Sequence, residues 1–260
     1  RICHCAALTR ALKEETFMQV NAGGAEALAK ACIKANPRLK RFLLVSSFAV
    51  AGPSPGPEQY RDETGPCQPI TWYGKSKLAA EQALIDLGAQ LPLTIVRPSA
   101  AFGPRDRDLF TYFELVKRGL SLQLGREERR VSLIYVHDLV RLLLLALEEE
   151  AAVGQVYFGC NQAHTYGDLS EAIARALNKR TLRVILPEAV LVPIGLWSRV
   201  QARLTGKPAL LNEQRILDMR EQYWLCSGDK AWRELGFAAQ GDLETAVEET
   251  AAWYLENGWL

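Results

Sequence analysis

The sequence lacks the features that mark several classes of protein. It has no excess of either charge, with 31 Lys plus Arg against 30 Asp plus Glu, so nothing favours nucleic acid or an acidic membrane surface as the main partner. Its longest apolar runs, residues 142–147 and 190–196, are far shorter than the ~20 residues of a membrane span. Its six cysteines are scattered, without the spacing of a zinc site or a disulfide framework. These absences predict a cytoplasmic protein with reduced thiols, no metal centre and no membrane span.

Short apolar runs alternate with helical patterns along the first half of the chain. The runs end in small or polar residues and occupy positions 42–45, 93–96 and 133–136. Runs that are apolar throughout suit strands covered on both faces, as in a parallel sheet. The helical patterns occupy positions 22–35, 72–87 and 138–150, and Asp138 is placed to cap the last of them. This order predicts an α/β fold with a doubly wound parallel sheet, in which ligands bind beyond the carboxyl ends of the strands.

The pattern changes after residue 150. Strand-like residues 156–158 and 182–186 flank a helical stretch at 169–177, and a tail rich in Trp, Arg and Leu follows. We therefore expect the sheet to occupy residues 1–150. Residues 151–260 are expected to form a smaller, mostly helical lobe that is interleaved with the last strands of the sheet.

Tyr73 and Lys77 lie four residues apart in the segment Tyr-Gly-Lys-Ser-Lys. On a helix this spacing stacks both side chains on one face. A cation beside a buried Tyr hydroxyl lowers the pKa of the Tyr towards neutrality, as a general acid/base requires. Ser47, at the end of a predicted strand, is a natural hydroxyl donor for a substrate oxygen. The spacing alone is weak support, because a core Tyr under a snorkelling Lys gives the same pattern.

Further motifs follow one another in a specific order. Residues 73–81 match the signature Tyr-Gly-x-Ser-Lys-x-x-x-Glu in full. The other matches are His4-Cys5-Ala6-Ala7, Asn21-Ala22-Gly23-Gly24, Ser46-Ser47 at a strand end, Arg97-Pro98-Ser99-Ala100 and Tyr135-Val136-His137-Asp138. Together these motifs resemble the extended short-chain dehydrogenases/reductases, which include NAD-dependent epimerases/dehydratases and 3-beta-hydroxysteroid dehydrogenase-like enzymes. The resemblance covers nearly the whole chain and implies a Rossmann-like sheet, the remainder of a dinucleotide-binding domain, with a substrate-binding lobe.

The resemblance also implies a role for each matched residue. Tyr73 is expected to be the catalytic acid/base, and Lys77 to hold the nicotinamide ribose while lowering the pKa of Tyr73. Ser47 is expected to orient the substrate oxygen, and Asn21 to have a structural role at a helix start. The cofactor is expected to be NAD or NADP. Six residues are expected to contact it: Ala6, Ala7, Ser46, Tyr73, Lys77 and Pro98. Apart from Tyr73 and Lys77, they are expected to do so largely through backbone atoms.

One part of the family pattern is absent from these 260 residues. In the family, a Gly-x-x-Gly-x-x-Gly turn precedes the matched motifs and cradles the cofactor pyrophosphate at a helix N-terminus. The residue that decides between NAD and NADP belongs to the same stretch. The sequence is therefore expected to be a fragment, and it leaves open the cofactor preference and whether the protein forms a homodimer.

Two departures from the family pattern bear on the substrate. Nucleotide-sugar epimerases and dehydratases of the family usually carry Asn where this chain has Ala100. They often carry Arg where it has Val131, although Arg129 and Arg130 are adjacent. Loss of a donor and a cation weakens the binding of a diphosphate. We therefore expect hydride transfer at a secondary alcohol or ketone of an apolar or lipid-like small molecule. The alternatives are a nucleotide-sugar epimerase or dehydratase and a non-catalytic dinucleotide-sensing scaffold.

Residues 187–204 form an apolar segment in the lobe. Basic residues lie in it and directly after it: Arg199, Arg203 and Lys207. An amphipathic helix packed on the lobe would give this pattern. The functional hypothesis is that the apolar face borders the cleft facing Tyr73 or rests on a membrane surface. Pro193 and Gly195 are expected to interrupt a regular helix, and Trp197 or a neighbour is expected to be partly exposed.

Overall fold

The computed structural model describes residues 1–206, 209 and 212–260, apart from the side chain of residue 199. The strands are β1 (Ile2–His4), β2 (Phe42–Val45), β3 (Leu93–Pro98), β4 (Ala100–Phe102), β5 (Leu120–Leu124), β6 (Arg130–Tyr135), β7 (Val156–Gly159), β8 (Ala163–Thr165), β9 (Leu182–Leu186) and β10 (Tyr223–Trp224). The α-helices are α1 (Glu14–Phe17), α2 (Gly24–Ala35), α3 (Trp72–Ile85), α4 (Phe110–Lys117), α5 (Val136–Glu148), α6 (Tyr166–Ala176), α7 (Leu191–Thr205), α8 (Glu213–Arg220), α9 (Asp229–Leu235) and α10 (Leu243–Glu256). A π-helical turn (Met18–Gly23) joins α1 to α2.

The central sheet has four parallel strands in the order β1, β2, β3, β7. Phe42 of β2 pairs with Ile2 of β1 on one side and with Leu93 of β3 on the other. Alternate strand residues point to opposite faces, and helices cover both faces of this sheet. Phe42 and Leu44 pack with apolar residues of α2 and α3, whereas Leu43 packs with residues of α5. The predicted α/β fold with a doubly wound parallel sheet is confirmed.

A second sheet joins strands from both sides of residue 150, so the lobe includes part of the first half of the chain. In this sheet β6 lies between β10 and β4, all parallel, and β8 pairs with β6 in the antiparallel sense. A separate parallel pair is formed by β5 and β9. Helices α4, α6 and α10 pack around an apolar core that includes Phe113, Ile173, Val247 and Tyr254. Among the described residues, no helix has both the length and the apolar character needed to cross a bilayer.

Asp138 does not cap a helix, so this prediction is wrong. β6 runs directly into α5, which begins at Val136 after an extended Tyr135. Asp138 is therefore already inside the first turn, and its carboxylate accepts hydrogen bonds from elsewhere in the chain. The donors are Nη1 of Arg141 at 2.9 Å, Nδ2 of Asn161 at 3.2 Å and the backbone N–H of Gln240 at 3.1 Å. The side chain joins α5 to the loop before α10.

Helix α7 is regular, so the predicted interruption is also wrong. Pro193 is the third residue of the helix, where the backbone N–H has no intrahelical acceptor and a proline costs little. A Cβ at Gly195 would lie 3.1 Å from Cδ1 of Ile216 on α8, so this glycine lets the two helices approach. The prediction of a partly exposed apolar side chain is confirmed, since Trp197 is 70% exposed. Lys207 and the side chain of Arg199 lie outside the described residues.

Candidate active site

The residues predicted to form the site gather at the carboxyl ends of β1, β2 and β3. Because these strands are parallel neighbours, the segments that follow them lie along the same edge of the sheet. Ala6 is exposed and Ala7 is half-buried just after β1, while Ser46 and Ser47 follow β2 directly. Pro98, the last residue of β3, is buried. The structure thus brings the two alanines, the two serines and the proline to one edge.

Ser47 and Tyr73 are placed by two helix starts that face each other. Ser47 is the N-cap of a short 3₁₀ turn (Phe48–Val50), and its Oγ accepts a hydrogen bond from the N–H of Ala49 at 3.2 Å. Thr71 caps α3 by accepting from the N–H of Gly74 at 3.2 Å, which makes Tyr73 the second residue of that helix. The hydroxyl of Ser47 lies near enough to Tyr73 to lower the pKa of the Tyr hydroxyl.

A close backbone contact sets the distance between these two segments. A Cβ at Gly74 would lie 2.6 Å from the carbonyl oxygen of Ala49 and 3.0 Å from Cβ of Pro69. Real Cβ atoms do not approach a backbone oxygen so closely, so any other residue would push α3 away from the 3₁₀ turn. The glycine next to Tyr73 therefore allows the close approach of α3 to the turn that follows Ser47.

Lys77 lies one turn after Tyr73 on the same face of α3, but its electrostatic effect differs from the prediction. Its Nζ donates to the carbonyl oxygen of Val45 at 2.7 Å. Burial lowers the pKa of Lys77 to about 8, opposed by the charges of Glu81 and Cys5. Burial also raises the pKa of Tyr73, and this outweighs the lowering effect of Ser47. The expectation that Lys77 brings the pKa of Tyr73 towards neutrality is wrong for this structure, in which the Tyr hydroxyl stays protonated.

A buried ion pair lies behind Lys77. Glu81, one turn further along α3, accepts from Nε of Arg97 at 2.9 Å and from Nη2 at 2.6 Å. The Ser46 hydroxyl also donates to Glu81. The side chains of Arg97 and Glu81 are only 7% and 2% exposed. This network ties β2, α3 and β3 together, and because the Ser46 N–H donates to Val96, both donors of Ser46 are engaged within the protein.

Asn21 has the structural role predicted for it, but not at a helix start. It is buried inside the π-helical turn between α1 and α2. Its side chain accepts from the N–H of Leu8 at 2.7 Å and donates to the Leu8 carbonyl at 3.0 Å. It also donates at 2.9 Å to Oγ of Ser76, which in turn donates to the Tyr73 carbonyl at 2.8 Å. Asn21 thus joins the segment after β1 to the first turn of α3.

Two residues of α8 act on this part of the sheet, and no sequence motif indicated either of them. Oε1 of Gln214 accepts from the N–H of Trp72 at 2.7 Å. The charge of Asp218 raises the pKa of Tyr73. Burial raises the pKa of Asp218 itself to about 6, with Arg215 opposing the shift. Its Oδ1 is buried and has no hydrogen-bond partner within the described part of the chain. Helix α8 therefore forms the lobe side of the site.

A large groove elsewhere on the molecule is distinct from this site. It has a volume of about 950 Å³ and is lined by residues that include Tyr60, Asn161, His164, Trp232 and Gln240. Ser47, Tyr73 and Lys77 do not line it. The groove thus lacks the acid/base residues, and the candidate site remains at the strand ends.

The geometry agrees with comparisons to known proteins. The family model described as "NAD dependent epimerase/dehydratase family" matches residues 2–158. The chain belongs to this family. The family's members are enzymes, and the matched range covers the strand ends and α3, including Ser47, Tyr73 and Lys77.

Two curated relatives are similar over most of the chain. A ceramide reductase of Caulobacter vibrioides is 27% identical over 259 residues, which cover 99% of this chain and 74% of the relative. A 3 beta-hydroxysteroid dehydrogenase/Delta 5→4-isomerase of Mycobacterium tuberculosis is 29% identical over 266 residues, or 96% and 70% of the two chains. Among solved structures, dTDP-glucose 4,6-dehydratase of Bacillus anthracis in complex with NAD has a TM-score of 0.76 at 20% identity, covering 99% and 73%. At that identity the likeness establishes the fold, a Rossmann fold, and nothing more.

Proposed function

We propose that this chain acts as an NAD(P)-dependent oxidoreductase that reduces or oxidises a secondary alcohol/ketone on an apolar or lipid-like molecule. The observation that carries the proposal is the gathering of Ser47, Tyr73 and Lys77: Ser47 follows β2 beside the start of α3, Tyr73 lies in the first turn of α3, and Lys77 lies one turn further along with its Nζ at the Val45 carbonyl. Two neighbouring hydroxyls beside a buried amine can hold a substrate oxygen and exchange a proton with it.

The residues at the strand ends fit a nicotinamide cofactor. Ala6 and Ala7 have no side chain beyond Cβ, so a ligand can approach the backbone after β1. Lys77, whose Nζ lies at the carbonyl of Val45, would donate to the ribose hydroxyls, and Ser46 and Pro98 border the same edge. When bound, the nicotinamide supplies or accepts the hydride.

The proton is handled by the protein's own residues. Ser47 donates a hydrogen bond to the substrate oxygen and fixes its position against Tyr73. Tyr73 gives its proton to that oxygen during reduction and takes one during oxidation. Because burial raises the pKa of Tyr73, the hydroxyl carries its proton at neutral pH and can donate it to a ketone oxygen.

The surroundings of two arginines support an uncharged substrate. Nη1 of Arg129 donates to the carbonyls of the last residues of α8 and the residue after it, and Nη2 donates to Glu188 at 2.5 Å. Arg130 donates instead to Glu58 at 3.1 Å. Both guanidinium groups are therefore engaged by the protein and cannot replace the cation lost at Val131 without giving up these bonds. The names of the ceramide reductase and of the hydroxysteroid dehydrogenase point to the same substrate class.

The main alternative is a nucleotide-sugar epimerase or dehydratase. An epimerase activity has support from an Escherichia coli O157:H7 relative named as an N-acetyl-alpha-D-glucosaminyl-diphospho-ditrans,octacis-undecaprenol 4-epimerase, 27% identical over 68% of this chain and 55% of that protein. That name describes a sugar linked through diphosphate to a lipid, which is not a nucleotide. A non-catalytic scaffold is disfavoured by the presence of Ser47, Tyr73 and Lys77 together. A cytoplasmic location and a homodimer stay predictions, which cell fractionation and light scattering would test.

The test is turnover by protein expressed from its complete reading frame. Oxidation of NADH and NADPH is followed with a 3-ketosteroid and a long-chain keto-lipid. Conversion of UDP- and dTDP-sugars is followed by product analysis in the presence of NAD, because epimerases and dehydratases regenerate their cofactor and consume no NAD(P)H. We expect turnover of a lipid ketone and a loss of ~10²–10⁴ in kcat in Tyr73→Phe. The matched control is Tyr60→Phe, which removes the hydroxyl of an exposed tyrosine away from the site. Turnover of sugar nucleotides alone would establish the alternative, and cofactor binding without turnover would favour the scaffold.

A further inference from the structure

Helix α7 exposes a continuous apolar stripe. Val192, Leu196, Val200 and Leu204 are spaced four residues apart, so they form one ridge along the helix, and Trp197 lies beside it. All five are exposed, with Leu204 the most exposed at 82% and Trp197 at 70%. Soluble surfaces scatter single apolar residues, but a contiguous apolar ridge of this length marks a contact surface.

The fold does not use this stripe. The opposite side of α7 packs on α8, where Leu191 and Ser198 are buried and Gly195 meets Ile216. The packing of α7 on the lobe is therefore complete without the stripe, whose side chains point away from the α8 contact.

The segment that contains the stripe is mostly basic. Residues 179–207 contain six basic residues and one acidic residue, whereas the chain as a whole has a net charge of +1. The one acid, Glu188, is paired with Arg129. Arg203 is exposed on α7 itself, and Arg180 and Arg183 are exposed at the start of the same segment. An apolar stripe in a basic segment matches an anionic lipid surface, where aromatic and aliphatic side chains enter the acyl boundary and guanidinium groups stay among the headgroups.

We propose that α7 docks this protein on the surface of an anionic phospholipid bilayer, with the stripe from Val192 to Leu204 inserted at the headgroup boundary. A second copy of the chain is a poorer occupant of the same surface. A symmetric contact through α7 would bring two basic segments against each other, and like charges across an interface oppose association. Bilayer docking satisfies both the apolar and the basic part of the surface at once.

Docking through α7 has a consequence for access to the site. Helix α8 lies between α7 and α3, because it packs on Gly195 with Ile216 and reaches Trp72 with Gln214. The bilayer surface would then be one helix away from the proton-transfer residues. The docking inference does not depend on the proposed reaction, since it can be measured without substrate or cofactor.

The experiment is flotation of the chain with vesicles of phosphatidylcholine and phosphatidylglycerol at a ratio of 7:3, compared with phosphatidylcholine alone. We expect binding to the anionic vesicles that weakens with added salt, and at least a tenfold lower partition coefficient in Trp197→Ser and in Leu204→Ser. Trp232→Ser is the matched control, because Trp232 is 62% exposed on α9 and lies outside the stripe. Arg203→Glu is expected to reduce binding to anionic vesicles selectively. Circular dichroism confirms that each variant is folded.

The proposal would be overturned if the protein bound neither kind of vesicle. It would also be overturned if Trp197→Ser and Trp232→Ser lowered the partition coefficient equally. Concentration-dependent self-association that disappears in Trp197→Ser, without vesicle binding, would assign the stripe to a second copy instead. Vesicle binding with no turnover of lipid ketones would leave the docking face standing and refute only the proposed reaction.

Discussion

Removal of the Glu81 carboxylate is expected to destabilise the protein strongly. In Glu81→Ala the Arg97 guanidinium loses two hydrogen bonds and, among the described contacts, its only negatively charged partner. The contacts that remain are Sγ of Cys67 at 3.3 Å and the ring of Phe158 at 5.8 Å. Breaking a buried pair by deleting one partner typically costs about 3–5 kcal/mol, because the other charge stays buried and unpaired. Domains of this kind are stable by about 5–15 kcal/mol, so the variant loses a large share of its stability.

Urea unfolding followed by tryptophan fluorescence measures this loss. At an m-value of about 2–3 kcal/mol per molar urea, the midpoint should fall by about 1–2 M. The matched control is Glu26→Ala, which breaks the exposed pair between Glu26 and Lys30, four residues apart at 2.5 Å. Exposed pairs of this spacing contribute about 0.3–0.5 kcal/mol, so the control midpoint should hardly move.

A double variant distinguishes an unpaired charge from a packing defect. Glu81→Leu with Arg97→Met removes both charges and keeps the volume, so it should cost less than Glu81→Ala alone. If the double variant costs as much as the sum of its single substitutions, the two side chains do not act as a pair. A loss below about 1 kcal/mol in Glu81→Ala would refute the reasoning outright.

Three further predictions concern pH and geometry. Burial lowers the pKa of Lys77 to about 8, so folding favours the neutral amine and the free energy of unfolding should rise as pH increases from about 8 towards the ordinary lysine pKa; the difference between parent and Lys77→Met in urea midpoint should show this rise. Burial raises the pKa of Asp218 to about 6, so the native state binds this proton more tightly than the unfolded state does. The free energy of unfolding should therefore fall as pH rises from about 4 to about 6. Asp218→Asn should remove that fall, and an unchanged pH dependence in this variant would contradict the assignment. Gly74→Ala should lower kcat at least tenfold by displacing α3 from Ala49, whereas Gly65→Ala, in a loop with more room, should leave turnover unchanged.

Much of the central sheet could be predicted from sequence because its strands are apolar on both faces. The run at 42–45 coincides with β2, and the run at 93–96 lies within β3. The cluster of Ser47, Tyr73 and Lys77 could also be predicted from sequence, since spacing on a helix and position after a strand are local properties. The signature also contains Gly74, but only the structure shows why a glycine is needed there: it lets α3 approach the Ala49 carbonyl.

The electrostatics and the lobe could not be predicted in the same way. The pKa of Tyr73 depends on how deeply the hydroxyl is buried. Burial raises this pKa, and the position of Lys77 four residues further along α3 does not offset the rise. Asp218 lies 145 positions after Tyr73 on a helix without a recognisable motif, and only tertiary packing brings it there. Asp138 and Pro193 were misread because the true helix starts lie only a few residues away from the expected ones, which changes what each side chain can bond to.

The hydrogen bond from Trp72 to Gln214 connects helix α8 of the lobe to the start of α3 in the candidate active site. The N–H of Trp72 belongs to the first turn of α3, where the helix offers no acceptor of its own, and the lobe supplies one. The position of α8 is thereby linked to the first turn of α3, which carries Tyr73 one residue after Trp72. The lobe therefore contributes to the orientation of the candidate proton donor from more than 140 positions away in the sequence.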